Sequence, residues 1–487
     1  MSFTVPWISI TVLCPLVGAF WVWQTSNPDH KRQRSLICTG ITLILSLIAA
    51  GISVTSEVTT HFDPIDPLHL LGGEPAFAID SVNAPLLPLA GLICFLTVLS
   101  TLRAKFRQFS FARMLISESI LMGILSSKHP WVLVTLLILE LVPPLIELKS
   151  NRRPVNVFLL HMLLFVALLV FGQGLVSNVG IGDPIPILGV AFLLVAVLVR
   201  NGCAPAHCWI PDLFQHASFG TALLFLTPMV GAYAAMRLVL PIAPDWALHV
   251  IALFSLLTAF YAAGMSLVQK DARRFFCFLF LSHSSLVLVG LETATVLGLT
   301  AGLCVWIAVG LSLTGFGLVL RSVETRIGPI SLTDFYGLYD HTPRLAALFL
   351  MTGLASIGFP GTVGFVGAEL LIEGAIQLHP AIVIVIVAVA ALNGLAVIQV
   401  YFRIFTGRKH PATIDLRSRM SERIAVLILS GLIIGGGLFP QVGVHSRYLA
   451  ATQLMKERAA RLGEPTDDSS HHQAALTQEE SALPGIP

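Results

Sequence analysis

Charge is scarce in this chain. Only 11% of its 487 residues are Asp, Glu, Lys or Arg, against about 25% in soluble domains. Hydrophobic residues make up 55%, and the mean hydropathy is +0.84. That combination excludes an ordinary soluble enzyme, a disordered chain and a collagen-like one. Net charge is also nearly absent, at +2, so no nucleic-acid partner is implied. The seven cysteines are Cys14, Cys38, Cys94, Cys203, Cys208, Cys277 and Cys304. Most lie in apolar runs and offer no disulfide framework. Cys203 and Cys208 have no second pair nearby, so no metal site is expected. No Gly-rich nucleotide loop follows a strand, and no Cys cluster suits iron and sulfur. No cofactor is expected.

What is present is long apolar blocks. A helix needs about 20 apolar residues to cross a bilayer. Fourteen segments qualify: 7–24, 35–53, 82–102, 109–127, 131–148, 154–174, 184–202, 218–240, 246–267, 275–292, 294–321, 342–363, 380–405 and 422–440. The first lacks a basic start and a cleavage site, so it reads as a retained helix. The expected fold is an all-α polytopic membrane protein.

The basic residues test this count. Lys and Arg collect on cytoplasmic loops. With the N-terminus outside, odd-numbered helices end inside. Those ends carry Lys31, Arg32 and Arg34, then Arg103, Lys105 and Arg107, then Lys149, Arg152 and Arg153. They continue with Arg200, with Lys270, Arg273 and Arg274, and with Arg321, Arg326 and Arg344. The last set is Arg403, Arg408, Lys409, Arg417 and Arg419. Even-numbered ends hold mainly Lys128 and Arg237. The loop after helix two has Glu57, Asp63, Asp66, Glu74 and Asp80 without a single cation. Both termini are therefore expected outside a cell (inner or plasma) membrane. The tail 456–487 is polar and reads as partly disordered, with His471–His472 solvated in it.

Two apolar segments are broken. One break holds Asn201-Gly202-Cys203-Ala204-Pro205 and runs to Pro211. The other is Gly358-Phe359-Pro360-Gly361-Thr362. Proline removes a backbone N–H and clashes with the preceding turn. Backbone freed at membrane depth must face protein or water, and paired breaks mark transport pathways. They fall in helices 7 and 12, five helices apart, which predicts two inverted five-helix repeats. The expected organisation is helices 1–3 in 1–108, a first repeat in 109–240 and a second in 241–405. A C-terminal helix in 406–455 and the tail 456–487 follow.

An acid at the bilayer centre costs about 2.5–3.5 kcal/mol, so buried acids are candidates for function. Glu140 heads the list. It sits mid-helix, and Pro143 frees the carbonyl near Leu139 beside it. Glu118 lies in helix four, where Arg113 offers a local ion pair. Glu147 is near Lys149 and reads as interfacial. His161 and His283 lie within helices six and ten, and histidine relays protons near neutral pH. Glu369 and Glu373 follow the second break. Helix thirteen offers only Asn393 and Gln399 at depth.

At these positions the chain resembles a known family. Ala206-His207-Cys208-Trp209-Ile210-Pro211-Asp212 resembles the signature "HTWLPDAH". Gly231-Ala232-Tyr233 with Arg237 resembles "MGAYGLLR", and Ser282-His283 resembles "SISH". Pro360-Gly361-Thr362 through Val366 is similar to "LPGTAGFV", and Ile79 through Pro85 to "LDGLSAP". The family is the antiporter-like membrane subunits of respiratory complex I, nearest the M-type. It includes subunits of Mrp-type antiporters, membrane hydrogenases and inorganic-carbon uptake complexes. The resemblance covers about residues 75–440. It implies fourteen core helices, broken helices 7 and 12, and proton conduction along a polar membrane axis.

In the family scheme a helix-five glutamate pairs with a lysine on helix seven or eight. Glu140 matches the glutamate. The aligned lysine position holds Met229, and the lysine of the family's "DIKR" run falls on Arg273. The helix-eleven histidine falls near Val309. The implied path comprises Glu140, Glu118, His161, His283, Arg273 and Glu369, with Pro205, Pro211, Pro360 and Gly361 at the broken helices. The implied role is a non-catalytic, proton-conducting subunit of an NADH–quinone oxidoreductase-like complex. Its partners are other membrane and redox or carbon-uptake subunits and the lipid bilayer. An inorganic-carbon uptake subunit, or a structural anchor that moves no protons, is the alternative.

Overall fold

The computed structural model describes residues 5–55, 60–63, 75–102, 106, 109–177, 179–180, 184–408, 411, 416 and 418–463. The chain is a multi-pass helical membrane protein. Among the described residues, nine helical stretches are long and apolar enough to cross a bilayer, and four shorter apolar helices accompany them. The first half contains α1 (Trp7–Trp23), α2 (Pro28–Thr55), α3 (Leu86–Ser100), α4 (Phe111–Ser126), α5 (Pro130–Leu139), α6 (Val142–Ser150), α7 (Asn156–Val176) and α8 (Ile187–Asn201). Next come α9 (Trp209–His216), α10 (Phe219–Leu226), α11 (Val230–Ala234) and a π-helical turn, Ala235–Val239. The second half contains α12 (Asp245–Leu267), α13 (Ala272–Leu291), α14 (Val296–Ile327), α15 (Pro343–Ser356), α16 (Val363–Leu378), α17 (Pro380–Phe405), α18 (Met420–Leu438) and α19 (Pro440–Leu462).

Hydropathy alone does not separate inner helices from outer ones, but burial does. The apolar stretches of α13 and α14 are buried almost throughout, whereas those of α2, α7, α17 and α18 leave most residues outside. The long α14 packs against α13, α15, α16, α18 and α19. Small residues permit this approach where no hydrophobic force drives helices together in lipid. A Cβ on Gly290 would lie 2.6 Å from the Gly302 Cα, so α13 and α14 touch backbone to backbone there.

Both expected breaks are present. After α8 the chain turns left-handed at Gly202 (φ +70°), and Pro205 lies in the non-helical stretch before α9. Pro211 opens no gap; it sits within the first turn of α9, where its missing N–H costs nothing. A further interruption separates α10 from α11, with Met229 at φ +52°. Between α15 and α16, Gly358 (φ +82°) and Gly361 (φ +85°) flank Phe359-Pro360. Proline supplies the stop and glycine the left-handed turn.

Three features depart from expectation. The loop after α2 contains a short hairpin, β1 (Thr60–Phe62) antiparallel to β2 (Ala78–Asp80), with Thr60 opposite Asp80. Helix α19 continues to Leu462, so residues 456–462 are helical and not part of a disordered tail. Its Arg447 is buried and donates to the Ser81 and Val82 carbonyls, which ties α19 to the segment after β2. The His471–His472 pair, Glu57, Asp66, Glu74, Arg103, Lys105, Arg107, Lys409 and Arg417 lie outside the described residues.

Candidate functional site

Glu140 sits at another break. Pro143 and Pro144 cannot donate to the carbonyls one turn back, and the helix separates into α5 and α6 around Glu140-Leu141. Its side chain is 6% exposed. The partner is Arg200, whose Nη2 donates to Oε2 at 2.8 Å. Arg200 is itself only 3% exposed, in the last turn of α8 just before the Gly202 turn. The guanidinium lies 4.3 Å from the Phe225 ring centroid and 5.7 Å from that of Trp209. Aromatic faces attract a cation most when water is excluded. The Trp209 indole N–H donates 2.9 Å to the Val199 carbonyl, which fixes the ring beside the pair.

With methionine at position 229 the usual lysine partner is missing, and Glu140 pairs elsewhere, with Arg200. Met229 is buried, and the charge comes from Arg200. In the sequence Arg200 reads as a marker of orientation only. Its signal was an arginine with an apolar run before it and a helix break directly after it.

Glu118 is also fully buried, and neither carboxylate oxygen has a hydrogen-bond partner. The proposed local pair with Arg113 does not form. Arg113 instead approaches Glu147 at 4.0 Å and Ser150 Oγ at 3.3 Å. Glu147 is not interfacial in the sense of being solvated, since it is only 2% exposed. It accepts from the Ser218 backbone N–H at 2.8 Å and from Thr221 Oγ1 at 2.6 Å. That places it at the N-terminus of α10, where an acid is favoured by the helix dipole.

One small cavity joins these groups. Its lining includes Glu118, Glu140, Glu147, Arg113, Ser117 and Thr221, with Pro143 and Pro144 beside them. The volume is about 30 Å³, room for a single water. Three buried carboxylates thus share one cavity with room for a single water, and Arg113 is the cation in its lining.

The other expected residues do not join it. His161 is half-exposed, and its Nδ1 is 2.8 Å from the carbonyl of Val157 on its own helix. Arg273 forms a two-point ion pair with Glu324 at 2.6 and 2.5 Å and donates to the Phe214 and Ala217 carbonyls. Those bonds latch the end of α9 to the start of α13. His283 is buried in α13 and its Nε2 has no partner. Next to it, Ser282 accepts from Asn393 on α17 at 2.9 Å and donates to the Ala259 carbonyl at 2.9 Å. Glu369 and Glu373 are exposed on α16, not turned into a polar interior. The sequence reading missed Glu292. It is buried at the end of α13 and accepts from Ser255 at 3.1 Å.

A second polar cluster surrounds the end of β2. Asp80, 1% exposed at the end of β2, pairs with Arg237 at 2.8 Å and lies 4.0 Å from Lys128. Its Oδ1 also accepts the Val82 and Asn83 N–H groups at 3.1 Å. Burial alone would push this carboxyl up, but Arg237 and Lys128 hold it below the usual aspartate range.

The profile of the family described as NADH:quinone oxidoreductase/Mrp antiporter, TM, matches residues 149–393. Among curated relatives, NADH-quinone oxidoreductase subunit M of Escherichia coli is 26% identical, over 90% of this chain and 94% of its own. NAD(P)H-quinone oxidoreductase chain 4 of Prochlorococcus marinus is 24% identical, over 93% and 90%. A chain in the Mrp complex from Dietzia superposes with a TM-score of 0.80 at 18% identity, covering 93% of this chain and 98% of that one. A chain of respiratory complex I from Thermus thermophilus gives 0.79 at 20% identity, covering 93% and 99%. The chain belongs to the NADH:quinone oxidoreductase/Mrp antiporter family of membrane subunits.

Proposed function

We propose that this chain is a proton-conducting membrane subunit of a complex I-like NADH–quinone oxidoreductase or a related ion-translocating complex. The observation that carries this is the buried Glu140–Arg200 pair, whose Glu140 lines one cavity with Glu118 and Glu147. Burying three acids is costly in lipid. A single ion pair would account for one of them, and Glu118 has no partner at all. A water-sized cavity suits a proton passed between carboxylates better than a hydrated metal cation.

The chemistry follows from the groups present. A guanidinium does not release its proton in proteins. Arg200 therefore acts as a fixed charge, and Glu140 is the group that changes state. When Glu140 takes up a proton, an O–H bond forms and the ion pair becomes a charge–dipole contact. When it releases the proton, the acceptor is the cavity water or a neighbouring carboxylate, and the pair is restored. Glu147 lies towards the end of α6, which the basic residues place at the cytoplasmic face, so it receives protons from that side. His283, beside Ser282 and Asn393, serves the second half of the path. Arg273 positions α9 and α13 and carries no proton. Both termini face outside, and the redox or other driving chemistry belongs to partner subunits.

The test is proton flux in vesicles reconstituted with the purified assembly, comparing wild type with Glu140→Gln. Loss of flux with an intact assembly supports the proposal. Equal flux removes Glu140 as a carrier and leaves a structural anchor as the reading.

A further inference from the structure

The cytoplasmic-side ends of two membrane helices converge on a polar cleft that the proton path does not use. The cleft is about 480 Å³ and is lined by Asp340, His341, Thr342, Arg344, Ser418 and Arg423. Pro343 begins α15 and Met420 begins α18, so both helices start at this site. Their first N–H groups add partial positive charge. Arg344 is exposed and Arg423 half-buried. Neither guanidinium has a carboxylate partner among the described residues, although Asp340 stands in the same lining. Arg423 Nε is buried and makes no hydrogen bond, and its Nη2 meets only the Met420 sulfur at 3.4 Å. Two unpaired guanidinium groups thus share one cleft with room for a ligand.

The surface leading from the cleft is apolar. Met420 is 64% exposed, Ile424 39% and Leu427 56%. Spacings of four and three residues put them on one side of α18. Arg423 is three residues from Met420 and four from Leu427, so its stem follows the same side. Gly431, Ile434 and Leu438 carry this side to the far end, with open space at Gly431 and both larger residues exposed. A charged cleft at the start of a helix whose exposed side is apolar fits a lipid better than a freely soluble anion.

We propose that this cleft binds the phosphate headgroup of an anionic membrane phospholipid, with Arg344 and Arg423 contacting the phosphate and an acyl chain lying along α18. Basic pockets between helices on the cytoplasmic side are suited to such headgroups. A free phosphate offers the same charge without the chain, and the experiment separates the two.

The probe is phosphatidylglycerol, with phosphatidylcholine as control. Lipid retention on the purified full-length chain, in whatever assembly it comes, is measured by native mass spectrometry. Wild type should retain phosphatidylglycerol over phosphatidylcholine, and excess inorganic phosphate should not displace it. Arg344→Gln with Arg423→Gln should lower that retention roughly 30-fold, from about fivefold per cation near the surface. Asp340→Asn removes a repelling charge and should raise it. Because the two variants shift in opposite directions, loss of folding cannot imitate the result. Equal retention of both lipids, displacement by inorganic phosphate, or no change in either variant would overturn the proposal.

Discussion

Replacing Arg200 by methionine keeps most of the side-chain volume and removes the cation. Glu140 would then stand 6% exposed with no charge partner. Among the described residues, its one cationic contact is the 2.8 Å bond to Arg200. Removing one member of a buried pair typically costs about 3–5 kcal/mol, because the other is left uncompensated. Glu140→Gln instead leaves the Arg200 cation without its counter-charge. The glutamine oxygen can still accept from Arg200, but the buried guanidinium keeps its charge, so the loss is again about 3–5 kcal/mol at most. Replacing both leaves no stranded charge, and double replacements of buried pairs are often nearly neutral. The Arg200→Met, Glu140→Gln double variant should therefore be more stable than Arg200→Met alone. The assay is equilibrium unfolding of the detergent-solubilised protein, analysed as a double-mutant cycle. The reasoning is wrong if the two losses simply add within about 0.5 kcal/mol, or if Arg200→Met costs under about 1 kcal/mol.

Two other perturbations test the frame around the pair. Asp80→Asn should destabilise at neutral pH. The native carboxyl is held below its ordinary range, so its stabilisation is complete above the unfolded-state value and fades as pH falls through the folded one. The gap between wild type and variant should accordingly shrink below about pH 4, and a gap that stays constant in acid would contradict the assignment. Gly202→Ala should cost about 1–3 kcal/mol, since Gly202 has φ +70° and a Cβ would lie 2.2 Å from Ile210 Cδ1. Because Gly202 ends the helix that carries Arg200, thermal unfolding should show the loss, and an unchanged midpoint would show that the turn tolerates a side chain.

The outline of the fold was legible because its cause is local. Long apolar runs, basic ends and Pro–Gly pairs set the helices and both breaks. Glu140 was legible for the same reason, as an acid isolated in an apolar helix beside two prolines. Its partner was not. Arg200 is 60 residues away, and nothing local distinguishes it from the arginines at other helix ends. Several of those arginines do more than mark orientation. Arg326 binds Glu422 through two oxygens, and Arg321 is buried with bonds to the Thr97 carbonyl and Thr101 Oγ1. Glu369 failed in the other direction, since its position after the break suggested a polar interior. Which side of α16 faces inward depends on packing, and α16 turns Leu371, Gly374 and Ala375 inward instead. Periodicity could not settle that in a helix apolar nearly all round.

The central claim is that Glu140 changes protonation state beside a fixed Arg200 charge. It is tested most directly by proton uptake into reconstituted vesicles, with Glu140→Gln and the wild-type assembly compared under the same driving force. The account predicts that the glutamine variant assembles normally and loses most of the flux. Undiminished flux through an intact Glu140→Gln assembly would contradict it.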